Sequence, residues 1–385
     1  MSSPEKKKRK TKRSFTWSPE STPNPSLPDD LIVKILARVS RSHYPNLSLI
    51  SKSFRSILSS RELYQTRTLS GRAETFLYVC LRFPDEANPR WFTLYRRPNQ
   101  TLTKKKKKKK REDSSVHLLA PTQILNSPHV EWLSLIAVGS NLYAITASIK
   151  DSLCSNVWYL DCRTHTWIEA PRMRLAHTNS ELDGNVYFAG SSESPHSLNC
   201  VEVFNTKTQT WNPVPPENRI LNFRNMQGKI YINLFAEYPR KAVALKPKVM
   251  TWEAAGLDTG FDQGSTSICV IENTTYCYDP IGKFRWMKFN CMEGDWKRLE
   301  GLQGLPKFAK YSTVKLADYG GKLVVLWDKY VRVPASKYEE KMIWCAEISL
   351  DMRNSEEIWG KVEWCDAVLK VPKSYKFVCA KSATV

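Results

Sequence analysis

The 385-residue chain carries 58 Lys and Arg against 38 Asp and Glu, a formal net charge of +20, together with 13 Trp, 16 Tyr and only 15 Gly. That length accommodates two or three domains, and the aromatic-rich, Gly-poor composition points to strands rather than to a Gly-rich α/β enzyme. No apolar run approaches the roughly 18 residues of a membrane span, and the basic N-terminus lacks the apolar centre of a signal peptide, so a soluble protein that stays on the side of the membrane where it is made is expected.

Residues 1–25 are charged and rich in Ser and Pro, and a disordered basic tail is expected there. Its cluster Lys6 to Arg13, "KKKRKTKR", is matched by a second one, Lys104 to Arg111, "KKKKKKKR". Without these two runs the chain is close to neutral, at about +5, so the positive charge is local. Like-charge runs repel themselves and stay solvated. Receptor-read nuclear import through the first run is the leading functional alternative, which gives nucleus or cytoplasm as the compartment. Non-specific contact with RNA, DNA or anionic lipid follows it.

From Ser26 to about residue 70 the periodicity is helical. In "SLPDDLIVKILARVS" Pro28 suits a first helical turn, and Asp29 and Asp30 face the positive end of the helix dipole. Leu31, Ile35 and Val39 recur four apart with Ile32 and Leu36 beside them, an apolar face that demands burial. A second amphipathic run after Pro45 places Leu47, Ile50, Phe54, Ile57 and Leu58 on one face, and a short third turn, "RELY", ends at Tyr64. So small a unit buries too little of its own surface. Each covered Leu or Ile contributes about 1.5–3 kcal/mol, so the face is expected to meet a second protein or the outside of the strands that follow.

From about residue 74 to 385 short strands alternate with turns, interrupted by a polar, lysine-rich loop at 97–116. "NVWYLDCRTHTW" ends at Trp167, "CVEVFNTKTQTW" at Trp211, "KAVALKPKVMTW" at Trp252, and a weaker copy, "FNCMEGDW", at Trp296. A period of 40 to 50 residues with about four strands is that of a propeller blade. Each repeated tryptophan reads as a structural wedge between neighbouring blades. About six blades are expected, and the terminal "YKFVCAKSATV" is an unpaired strand expected to complete the first blade, since closure removes an exposed edge.

The ten cysteines stand singly, several inside apolar strands, as in a reducing compartment. Cys162 and His165 have a spacing that zinc uses, but no second pair accompanies them, so no metal is expected. The six histidines are scattered, and no nucleophile elbow, His-Glu-x-x-His or phosphate loop is present. Neither a catalytic residue nor a cofactor is expected, and no thioester cysteine or RING-type metal cluster is visible.

Two resemblances join these readings. "YCYDP" (Tyr276 to Pro280), "VFNTKTQTW" and "YLDCRTHTW" resemble degenerate kelch repeats, without the Gly-Gly doublet of that family. Leu27-Pro28, Asp30-Leu31, Ile35-Leu36, Ile50 and Lys52-Ser53-Phe54 resemble an F-box, with Phe54 in place of the usual Trp and Ser51 where Cys is common. Together the chain resembles the plant F-box/kelch-repeat proteins: mainly β, a three-helix F-box at 26–70 preceding a kelch-type β-propeller at 74–385. The resemblance implies a non-catalytic substrate receptor of a ubiquitin ligase. Its F-box would dock a Skp-type adaptor, and through it a cullin–RING ligase, with Leu27, Pro28, Leu31, Ile35, Leu36, Ile50 and Phe54. Its propeller would hold an unidentified target protein. A kelch scaffold, or a nucleic-acid-associated protein using the lysine clusters, is the alternative.

Overall fold

The computed structural model describes residues 27–86, 88–96, 116–124, 131–147, 156–171, 178–182, 185–190, 199–217, 220–226, 229–234, 241–246, 249, 251–257, 267–272, 274–288, 296–331, 340–354 and 356–385. Both lysine-rich runs, the tail at 1–25 and nearly all of the loop at 97–116 lie outside them.

The helical segment comprises α1 (Asp29–Leu36), a 3₁₀ turn (Arg41–His43), α2 (Tyr44–Leu47), α3 (Lys52–Leu58) and α4 (Arg61–Leu69). The run after Pro45 was expected as one amphipathic helix; it is two. Ser51 is extended and its Oγ accepts from Phe54 N at 3.1 Å, so a new helix starts there. Leu49 and Ile50 are left exposed in the intervening turn, while Ile57 and Leu58 reach the core. The expected third turn is likewise a nine-residue helix, capped by Ser60 Oγ accepting from Leu63 N.

Among the described residues the strands form six four-stranded antiparallel sheets, arranged as the blades of a β-propeller. The first blade runs Lys376–Thr384, Thr75–Arg82, Arg90–Arg96, His117–Thr122. The second runs Glu131–Val138, Asn141–Ala147, Asn156–Asp161, Thr166–Glu169, and the third Thr178–Leu182, Asn185–Gly190, Asn199–Asn205, Thr210–Glu217. The fourth holds Ile220–Met226, Lys229–Leu234, Lys241–Lys246 and Thr251–Leu257. The fifth is abbreviated: Ser267–Ile271, Thr274–Tyr278 and Phe284–Lys288 are followed by an outer strand of only Lys297–Arg298. The sixth is extended, its Val314–Tyr319 and Lys322–Tyr330 leading to a long hairpin of Glu340–Asn354 and Glu357–Pro372.

The chain end closes the ring. Lys376–Thr384 pairs antiparallel with Thr75–Arg82, from Thr384 opposite Thr75 to Lys376 opposite Arg82. It also lies as the inner strand against Glu131–Val138 on one side and Val314–Tyr319 on the other. Between Thr75 and Arg82 this strand is apolar because both its faces are covered. Leu77, Val79 and Leu81 pack with Ala317, Val324 and Leu326 of the sixth blade, whereas Tyr78 and Cys80 pack with Leu135, Leu142 and Leu160 of the second.

Antiparallel order fixes which turns share an end. Those joining strands one to two and three to four lie at one end of the propeller, and those joining two to three and blade to blade lie at the other. In the second and third blades the turns expected from "YLDCRTHTW" and "VFNTKTQTW" join strands three and four. Asp161 and Asn205 cap them: Asp161 Oδ1 accepts from Arg163 N, and Asn205 Oδ1 from Lys207 N, each at 2.9 Å. His165 and Gln209 take the left-handed conformation, with φ 56° and 58°. In the fifth blade, by contrast, the "YCYDP" turn joins strands two and three, at the opposite end.

The tryptophans follow this difference. Trp167 is buried with its ring 5.9 Å from that of Trp91 in the first blade. Half-buried Trp211 lies tilted against Phe204, ring centroids 4.8 Å apart, and donates from Nε1 to Pro171 O at 2.8 Å, reaching the second blade. Trp252 begins its outer strand, but its side chain lies outside the described positions. Trp296 is only half-buried. The fully buried tryptophan of that blade is Trp286, on the third strand, because the two-residue outer strand leaves no interior for Trp296.

Candidate functional site

Helix α1 divides its apolar residues between two faces. Val33 and Leu36 turn inward, with Ala37 just beyond the helix end, and join Tyr44, Ile57, Leu58, Leu63 and Tyr64 in one core. Leu31 and Ile35, four apart on the other face, remain 41% and 52% exposed. Leu27 and Pro28 are exposed ahead of them, and Ile50 is 62% exposed in the turn before α3. Two of the expected contact residues behave differently. Leu36 is 3% exposed, so it belongs to the core and is unavailable to a partner; its place one residue past Ile35 puts it round the helix. Phe54 is half-buried against the same core.

That core is continuous with the propeller, since it includes Tyr78, Cys80, Trp91, Leu142, Leu160 and Val385. Docking on the strands and presenting an apolar face to a partner were set out as alternatives; the helical unit has a separate face for each. The seat is polar as well as apolar. The buried Arg41 guanidinium reaches into the second blade's turn, where NH2 donates to Cys162 O, to Arg163 O at 2.9 Å and to His165 Nε2 at 3.1 Å. Its charge lies over the rings of Tyr64 and Phe76. Tyr64 Oη also donates to Arg163 O, at 3.0 Å.

Arg67, almost fully buried in α4, ties the other side. NH1 donates to Val39 O at 2.8 Å, and NH2 to Arg72 O and to Glu74 Oε2, each at 2.7 Å. Glu74 Oε2 accepts from Arg41 N as well, at 2.8 Å, and the Glu74 backbone exchanges two 2.8 Å hydrogen bonds with that of Val385. Glu74 therefore links the two buried arginines, through its carboxylate, to Val385, through its backbone.

This environment also explains Cys162 and His165, the pair with zinc-like spacing. Burial pushes the Cys162 thiol up to about 12. Burial, then the adjacent Arg41 charge, lowers His165 to about 3, so the imidazole is neutral and its Nε2 receives Arg41. Among the described residues no group of three His, Cys, Asp or Glu side chains is placed to hold a metal ion.

The exposed helix face and the propeller it sits on are each matched by a family model. The F-box domain model matches residues 25–66, and the "FKB95, Kelch-repeats domain" model matches residues 91–369. The chain is 74% identical over 385 residues to the F-box/kelch-repeat protein At5g48990 of Arabidopsis thaliana, all of both chains being covered. The chain belongs to the F-box/kelch-repeat family. The F-box/kelch-repeat protein At5g48980 of the same plant is 62% identical over 378 residues, covering 96% of this chain and 94% of its own. The putative F-box/kelch-repeat protein At4g39600 is 56% identical, with 95% and 97% covered.

Within this F-box/kelch-repeat chain, the residues that sequence reasoning missed are those of the seat: Arg41, Arg67, Glu74 and Val385. In the sequence the two arginines look like any solvated residue of a basic helical segment.

Proposed function

We propose that this chain is a non-catalytic substrate receptor of a Skp–cullin–F-box ubiquitin ligase. Its F-box docks a Skp-type adaptor, and its propeller holds a target protein for ubiquitination and degradation. The observation that supports this reading most is the division of α1: one apolar face is used up on the core that joins the helices to the propeller, and Leu31, Ile35, Leu27 and Ile50 still stand in solvent. Apolar residues grouped in this way mark a binding site on a folded protein. Ubiquitin transfer itself belongs to the associated ligase subunits. The basic run Lys6 to Arg13 fits import into the nucleus, so the receptor would act in the nucleus, the cytoplasm or both.

The test is Leu31→Asp combined with Ile35→Asp. Neither side chain contributes to the core, so the double variant keeps the wild-type melting transition and loses co-purification with the adaptor. An apolar interface also survives salt, whereas attachment through lysine clusters is screened away. A double variant that still retains the adaptor, or a wild-type complex that dissolves at about 1 M salt, would overturn the assignment.

A further inference from the structure

The F-box sits at the end of the propeller that carries the turns between strands three and four, through Arg41 on the Cys162–His165 turn. At the opposite end the fifth and sixth blades build a surface that none of this accounts for. The turn Asp279–Lys283 joins strands two and three of the fifth blade, and presents Ile281, 72% exposed, beside exposed Lys283. The segment that climbs from the fifth blade to the sixth adds exposed Lys307 and Lys310 and Tyr311, 48% exposed. Lys329 is exposed at the same end of the second strand of the sixth blade. Phe308 joins these pieces, its ring 5.5 Å from Tyr278 and 6.0 Å from Phe284, which flank the Asp279 turn, and 4.9 Å from Trp327.

The surface is stiff and carries one sign of charge. The Tyr311 ring lies 4.7 Å from that of Tyr330. Beneath them the fully buried Asp328 accepts from Lys341 Nζ at 2.7 Å, Tyr375 Oη at 3.0 Å and Thr313 N at 2.8 Å, while Ser312 Oγ donates to Asp328 O at 2.7 Å. Among the described residues of the fifth and sixth blades the carboxylates at this end are engaged: Asp328 on that network, Asp279 on Arg285 at 2.6 Å, and Glu340 on Lys370 at 2.5 Å. Lys283, Lys307, Lys310 and Lys329 have no carboxylate partner among the described residues. The chain outside its two lysine runs is nearly neutral, so four unpaired lysines around two exposed apolar side chains form a local feature.

We infer that this end of the fifth and sixth blades is the target-docking surface, and that it takes an acidic polypeptide segment carrying an apolar or aromatic anchor. The anchor rests on Ile281 and Tyr311, and the flanking Asp or Glu side chains meet the four lysines. An immobilised aromatic at the centre of a charged rim is the usual composition of a protein-binding hot spot, and the rim charges set encounter rate and selectivity. A polypeptide is favoured over nucleic acid because the charge is compact and surrounds apolar side chains, where a polyanion needs a track along its backbone. The inference rests on the receptor reading above, and places the target at the end opposite the adaptor.

The probe is a fluorescent peptide of alternating Glu and Asp around a central Leu-Phe pair, added to the full chain in complex with its adaptor. A peptide with Lys at the acidic positions and a single-stranded oligonucleotide of equal charge serve as comparisons. The acidic peptide binds at low salt, and the triple variant Lys283→Glu, Lys307→Glu, Lys310→Glu weakens it about ten-fold or more while the melting transition and the adaptor complex persist. Tyr311→Ala weakens the peptide without changing its salt dependence. Equal binding by wild type and triple variant, or no binding to wild type, overturns the inference. Tighter binding of the oligonucleotide through the same lysines also overturns it, in favour of a nucleic-acid surface. Adaptor retention, read in the same samples, reports separately on the receptor assignment.

Discussion

Arg41 is a buried arginine whose Nη2 faces backbone carbonyls and a neutral imidazole and whose plane faces two aromatic rings, while its Nη1 is buried without a hydrogen-bond partner among the described residues. Charge-assisted hydrogen bonds of this kind contribute about 1.5–3 kcal/mol each. The arrangement constrains His165: a proton on Nε2 would point at a guanidinium. A histidine kept neutral when folded, at about 3, but titrating near 6.5 when unfolded, contributes stability that is present in full above pH 6.5 and is lost as pH falls from there toward 3. His165→Asn retains a residue that tolerates the left-handed backbone and removes the titrating ring. Melting temperature followed from about pH 7 to about pH 4 should then decline less steeply in the variant than in the wild type. Parallel declines would show that His165 does not couple to folding.

At the scale of elements, the inner strand Lys376–Thr384 carries the closure. Removing residues 373–385 exposes the apolar edge of Thr75–Arg82, takes away Val385 from beneath Glu74, and opens both neighbouring blade interfaces. The truncated chain is expected to lose its cooperative melting transition altogether. Unchanged melting would refute closure by this strand. This element was legible in the sequence because "YKFVCAKSATV" alternates like a strand and had no partner nearby. The break at Ser51 was not, since Leu47, Ile50, Phe54, Ile57 and Leu58 keep helical spacing across it and only the cap hydrogen bond reveals the interruption. Trp296 misled for a related reason. The spacing from Trp252 continued the earlier interval, but the fifth blade shortened its outer strand and moved its buried tryptophan to Trp286.

For the whole molecule, the two ends of the propeller have different work. One end seats the F-box through Arg41, Arg67, Glu74 and the chain terminus, so F-box and propeller are held in a set orientation. The other end carries the lysine-rimmed Tyr311 and Ile281 surface. The sequence revealed both modules because helical and strand periodicities are local. It concealed the seat and the docking surface because each is assembled from segments far apart in the chain: Arg41 meets His165, and Ile281 neighbours Lys310 through Phe308. The division of α1 into an inward and an outward face was likewise hidden, since Leu31, Ile35 and Leu36 are equally apolar and only packing tells them apart.

Hydrogen exchange of the full chain, with and without a recombinant Skp-type adaptor, reads out whether the exposed face of α1 is where the adaptor docks. Exchange should slow in α1 and in the turn from Leu47 to Lys52, with the fifth and sixth blades unaltered. Adaptor binding that leaves those helical segments unprotected, or that protects the blades instead, would contradict it.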